Sequence, residues 1–176
     1  MSRLIKYALA SGFFLAIFVG KTERAYSQDA DYKAYTLFLY NFMKYIEWPN
    51  TEGDFVVGVM GDSPIKKELI ALSETKKAKG RKIIVKVIHT ADEAVGCSMV
   101  YIPSAKSSML KLLLEKTKSK PILIVGEREG LAKKGAAISF VVDDDDALKF
   151  DMNKSVIDSQ SLKVTNLLVQ LAILVG

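Results

Sequence analysis

The chain has 176 residues, 49% hydrophobic and 26% charged, with a formal net charge of +5. That length and composition suit one ordinary globular domain and leave too little chain for two. The charge excess is concentrated in residues 1–27, which hold Arg3, Lys6, Lys21 and Arg24 against Glu23. The remainder carries 21 basic and 19 acidic residues, only +2. With no basic stripe interleaved with aromatics, nucleic-acid binding is not expected.

The N-terminus predicts a secretory signal peptide over residues 1–27: a basic head, an uncharged apolar stretch from Tyr7 to Gly20, and small residues Ala25 and Ser27 before an exit near Ser27/Gln28. The apolar run is short for a membrane-spanning helix, which needs about 20 residues. An uncleaved anchor is the alternative. No cysteine adjoins the exit, so no lipid attachment is expected. Export would leave residues 28–176 as the mature domain. Cys97 is the only cysteine, which excludes a disulfide within the chain. It precedes the apolar run SMVYI, where a buried, inert thiol is expected.

The mature chain opens on a tyrosine-rich segment, YKAYTLFLYNFMKYIEWP (32–49). At helical spacing it has a broad apolar face of Ala34, Tyr35, Phe38, Leu39, Phe42, Met43, Tyr45 and Ile46. Lys33, Thr36, Asn41, Lys44 and Glu47 gather opposite. Asp31 is an expected N-cap, and Pro49 an expected stop. Leu37, Tyr40 and Trp48 fall in the polar arc. Such a helix either serves only as core or also offers surface to a partner.

Phe55 to Met60 is a β-rich apolar run fit for a strand buried on both faces. Asp62 or Ser63 is placed to cap a helix opened by Pro64, running to about Lys79 and stopped by Gly80. Strands are expected at Lys82–Ile88 and Ser98–Ile102, with a short turn at ADEAVG between them. A helix follows from Ser104, then a strand ILIVG after Pro121. Glu127 to Gly135 reads as a loop or short helix. Ala137–Val142 and Leu148–Met152 predict a hairpin joined by Asp143 to Ala147. Ser155 to Val175 reads as mostly helical, divided near Asp158–Ser161, with Ser161 as a cap for its second half. Alternating strands and helices predict one α/β domain: a largely parallel sheet, helices on both faces, and an antiparallel hairpin at the C-terminal edge.

The residues offer little for catalysis. His89 is the only histidine, so a histidine-rich metal site is excluded, and no serine stands in a nucleophile elbow. Dinucleotide and triphosphate fingerprints are absent. Asp143 to Asp146 lack the alternating spacing of a calcium loop and read as a soluble hairpin tip. Neither metal nor cofactor is expected, and the chain is not expected to be an enzyme. The strand carboxyl ends are a different matter, because open α/β sheets bind ligands there. They carry Asp62 and Ser63, Ser104, and Glu127. These four are the candidate ligand-binding residues, with plain helix capping as the alternative.

With the elements placed, the sequence resembles the YfiR-like family of periplasmic proteins. The resemblance is carried by YKAYTLFLYNFMKYIEWP, by FVVGVMGDSP, by GRKIIVK and CSMVYI, by ILIVGEREGLAKKGAAISFVVDDDDALKFDMN, and by LKVTNLLVQLAILV. The tyrosine-rich helix ending in W-P and the G-E-x-x-G-x-A-x-x-G-x-x-I-x-F run are its more specific parts. The resemblance implies a non-enzymatic periplasmic regulator. The best-known members repress a membrane-bound diguanylate cyclase through its periplasmic sensor region, control cyclic-di-GMP signalling and biofilm formation, and can act as dimers. Disulfide-based control, which relatives can have, does not transfer to a chain with one cysteine.

Two functional expectations follow. In the first, the chain regulates a membrane diguanylate cyclase or sensor kinase and meets its periplasmic region through Leu37, Tyr40 and Trp48; a homodimer also fits the resemblance. In the second, it binds a small molecule through Asp62, Ser63, Ser104 and Glu127.

Overall fold

The computed structural model describes residues 25–176, with side chains from Tyr32 onward. The expected leader lies, up to residue 24, outside the described residues. Among the described residues no helix is long and apolar enough to cross a membrane.

Five parallel strands make the centre of the sheet. They are Phe55–Met60 (β2), Arg81–Ile88 (β4), Met99–Ile102 (β5), Leu123–Gly126 (β6) and Ile138–Val142 (β7). Their spatial order is β4-β2-β5-β6-β7, a doubly wound arrangement whose order reverses between β2 and β5. The central runs FVVGVM, MVYI and LIVG are almost wholly buried, as parallel strands covered on both faces must be.

Both edges break the parallel pattern of the centre. Leu148–Met152 (β8) pairs with β7 as the expected hairpin, and Ile173–Leu174 (β10) adds a last parallel strand outside β8. At the far edge Lys77–Ala78 (β3) turns through Lys79 and Gly80, both at positive φ, to pair with β4. This corrects the expectation that the preceding helix runs to Lys79. That helix (α2, Ile65–Thr75) stops earlier, because the two-residue turn hands the chain to the sheet edge. Arg81 holds the hairpin by donating to the carbonyls of Gly53 and Asp54 at 3.0 and 2.6 Å.

Strand alternation divides the interior into two cores. One face presents Val57, Val59, Met99, Tyr101, Leu123, Val125, Phe140 and Phe150. It is covered by α1 (Ala25–Tyr45), α2 and the C-terminal segment. The other face presents Val100, Ile102 and Ile124. Over it lie the 3-10 turn Asp92–Gly96, the 3-10 segment Ser104–Met109, α3 (Leu110–Lys116) and the loop after β6.

The opening helix is the largest cover. Leu39, Phe42, Met43 and Ile46 are fully buried, each worth about 1.5–3 kcal/mol of burial. Phe42 meets Phe150 edge-on at 5.1 Å, and Tyr35 meets Phe140 at 4.6 Å. The helix passes through Asp31, so that residue is not its N-cap. Thr36, expected on the polar side, is buried, because α2 and the C-terminal segment flank the helix as well as the sheet beneath it.

The tail departs most from expectation. Residues 154–175 form two short helices, Lys154–Ser159 (α4) and Asn166–Gln170 (α5), and two short strands, Lys163–Val164 (β9) and β10. Asn153 caps α4 by accepting from the Val156 amide at 3.2 Å. Ser161 sits at φ 57° rather than capping a helix. β9 pairs antiparallel with Ile46–Glu47 (β1), which is why α1 ends at Tyr45.

Candidate functional site

Two places gather the residues that the sequence singles out. The first is the outer face of α1, a helix that also contacts α5. Leu37 is 61% exposed there, while Tyr40 is half-buried with the Lys44 ammonium 5.8 Å from its ring centre. Trp48 is not on this surface. It is 9% exposed, its Nε1 donates to the Ser98 carbonyl at 3.0 Å, and its ring meets Phe55 edge-on at 4.8 Å. The expectation of an exposed Trp48 is therefore corrected, because the helix stops three residues before it and helical spacing no longer sets its direction.

In its place the tail supplies apolar surface. Leu167 and Leu171 around α5, and Ile173 and Leu174 in β10, are each between 44% and 63% exposed. β10 is also the last strand of the sheet, so its outer edge has no strand partner among the described residues. An exposed apolar edge beside exposed leucines is a surface suited to another protein.

The second place is the carboxyl end of the sheet. Ser104 and Glu127 are brought together: Glu127 Oε2 accepts from the Ser104 amide at 3.1 Å. The loops after β2 and β5 also touch, because the Lys106 stem lies over Gly61, where a Cβ would stand 2.9 Å from Cε. Asp62 is exposed, and neither it nor Ser63 is bonded to the Ser104–Glu127 pair. The Ser63 hydroxyl is buried without a partner.

Tyr101, which sequence reading did not single out, lies below this end. Its side chain is wholly buried, and its hydroxyl lies beside Glu127 with no well-formed hydrogen bond among the described residues. Burial first, and then the Glu127 charge, push its ionisation far above the usual phenol range. The arrangement offers a fixed O–H donor beside a carboxylate, which suits a water or a small polar molecule. A tyrosine inside the run SMVYI was its only sequence signal.

The remaining chemistry-bearing residues are accounted for locally. Cys97 is buried, and burial pushes its thiol up to about 11, so it stays protonated at neutral pH. His89 is exposed at the end of β4. Nearby Glu93 accepts from the Thr90 hydroxyl at 2.7 Å, which holds its carboxyl below the usual range. Among the described residues no cluster of three or more His, Cys, Asp or Glu side chains could hold a metal ion. At the aspartate tip, Asp143 Oδ1 accepts from the amides of Asp145 and Ala147, and Oδ2 pairs with Lys149 at 2.6 Å. That is a turn built by a side chain on its own backbone.

Together these features define a doubly wound α/β domain with an exposed apolar edge and a group of polar residues at its strand ends. The chain belongs to the YfiR/HmsC-like family (DUF4154), whose family model matches residues 32–173. Comparison with curated proteins gives no match. Among solved structures, it is similar to the ABC domain in complex with L-Trp from Streptococcus pneumonia, with a TM-score of 0.55 and 11% identity. The match covers 78% of this chain and 59% of that one. At that identity the likeness concerns the fold alone.

Proposed function

We propose that this chain is a non-enzymatic periplasmic regulator. It binds the periplasmic sensor region of a membrane signalling protein, a diguanylate cyclase ahead of a sensor kinase, and represses it, lowering cyclic-di-GMP and biofilm formation. The observation that carries this reading is family membership over residues 32–173. The exposed leucines of α1, α5 and β10 support it, because they give a partner an apolar surface and a strand edge. Leu37 and Tyr40 stay in the proposed contact set, Trp48 leaves it, and Leu167, Leu171 and Leu174 join it.

The test is a titration of the full chain against the isolated periplasmic region of a membrane diguanylate cyclase from the same cell. Saturable binding that Leu171→Lys abolishes supports the reading, and absence of binding contradicts it. The same edge can pair two copies of the chain, and sedimentation of the chain alone separates a homodimer from a heterologous complex.

A second reading, a small-molecule binder, is favoured by the unpartnered Tyr101 hydroxyl beside Glu127 and the orphan Ser63 hydroxyl. A metabolite screen by thermal shift on the wild type and Tyr101→Phe tests it. A stabilising ligand whose effect survives that substitution would place binding elsewhere.

A further inference from the structure

On the sheet face opposite α1 an open groove of about 380 Å³ runs between α3 and the loop joining β6 to β7. Its floor is apolar: Leu110 and Leu131 are buried and Leu114 is half-buried. Its rim carries three exposed cations, Lys111, Arg128 and Lys134, and no carboxylate lines it. Ser108 adds a hydroxyl with no hydrogen bond among the described residues, whereas the Ser107 hydroxyl is spent on the Ser104 carbonyl at 2.7 Å.

The charge here is segregated. Residues 104–135 hold eight basic and three acidic side chains, whereas the rest of residues 28–176 holds thirteen basic and sixteen acidic. A nearby lysine shows what ordinary pairing looks like on this face: Lys116 of α3 meets Asp92 at 2.6 Å. None of the three rim cations makes an ion pair among the described residues. Unpaired like charges around one opening repel each other and raise the local concentration of anions. The groove also opens beside the carboxyl ends of β5 and β6, where doubly wound sheets hold ligands.

We propose that this groove binds a small amphiphilic oxyanion, with a phosphate or carboxylate head among Lys111, Arg128 and Lys134 and a short apolar body on the leucine floor. Arg128 supplies a planar fork that matches either head group, and the lysines supply point charge. The size falls in the range of small-ligand sites, about 300–1,000 Å³. The site is independent of the docking edge, since it lies on the other face of the sheet.

The experiment is a titration of the full chain with hexyl phosphate, followed by backbone amide shifts, with inorganic phosphate and hexanol as half-ligand controls. Saturable shifts confined to Ser107–Leu114 and Arg128–Gly135, weaker with either half alone, are expected. Lys111→Glu with Arg128→Glu should weaken hexyl phosphate binding about tenfold or more, while Lys77→Glu with Lys82→Glu at the far sheet edge should not. Sedimentation with phosphatidylglycerol against phosphatidylcholine vesicles distinguishes the source. Selective co-sedimentation that the groove variant loses assigns a lipid head group, and hexyl phosphate binding without it assigns a soluble anion. Shifts scattered over all lysine-bearing surfaces, or equal binding by the groove variant, overturn the proposal.

Discussion

The indole Nε1 of Trp48 donates to the backbone carbonyl of Ser98 at 3.0 Å, tying the chain that leaves α1 to the start of β5. The same carbonyl accepts from the Leu123 amide at 3.0 Å, so it stays satisfied if the indole is lost. Trp48→Phe should therefore cost only about 0.5–1.5 kcal/mol. Trp48→Ala also empties the contact with Phe55 and should cost about 3–5 kcal/mol. Urea unfolding of the two variants checks the separation. Trp48 is only 9% exposed, so Trp48→Phe should leave partner binding unchanged.

Gly58 and Cys97 are a second close pair. A Cβ on Gly58 would stand 2.8 Å from the Cys97 Sγ and 3.1 Å from the Ile88 Cδ1. Gly58→Ala is predicted to destabilise the domain by about 1–3 kcal/mol through overpacking. Cys97→Ala in the same chain should recover part of that loss, so a double-mutant cycle should show coupling. With its thiol pushed up to about 11 by burial, Cys97 should react slowly with a thiol reagent in the native state and quickly in urea. Rapid native labelling would contradict its placement.

Asp151 gives a pH dependence with a definite sign. It is nearly buried in β8, and burial raises its carboxyl pKa, with Lys133 opposing and Glu129 adding to the shift. A carboxyl whose folded pKa lies above its unfolded one releases its proton less readily when folded. Its favourable contribution is complete below the unfolded pKa and is lost as pH rises through the folded pKa. Asp151→Asn should thus raise Tm at neutral pH, and the gain should shrink on acidification towards the carboxylate range. A gain that grows with acid would contradict this.

The central strands were legible because each is a short β-rich run between breakers, as in FVVGVM before Gly61-Asp62 and ILIVG before Glu127. The tail was not. Leu167, Leu171 and Leu174 recur at spacings that suit a helix, and nothing local reveals that Lys163–Val164 pairs with Ile46–Glu47 more than a hundred residues earlier. That distant pairing, with Ser161 in the left-handed region, breaks the helix and turns these side chains outward. The same strand pairing ends α1 at Tyr45, which moved Trp48 from an expected surface into the core. Gly80 is half of a hairpin turn rather than a helix stop, and glycine serves both roles. At the candidate site the pairing of Ser104 with Glu127 followed the rule for strand carboxyl ends. Tyr101 did not, because an orphaned hydroxyl is a property of packing and has no sequence pattern.

Repression of a membrane signalling protein is the role proposed for the α1–α5–β10 surface. Leu171 is 63% exposed, so Leu171→Lys should change stability by no more than about 0.5 kcal/mol. The most direct measurement is cyclic-di-GMP in cells lacking the chain, complemented by wild type or by Leu171→Lys matched for periplasmic level and Tm. Raised cyclic-di-GMP in the deletion, restoration by wild type, and none by Leu171→Lys are expected. Equal cyclic-di-GMP with and without the chain would contradict the regulator reading, and full restoration by Leu171→Lys would contradict the surface assigned to it.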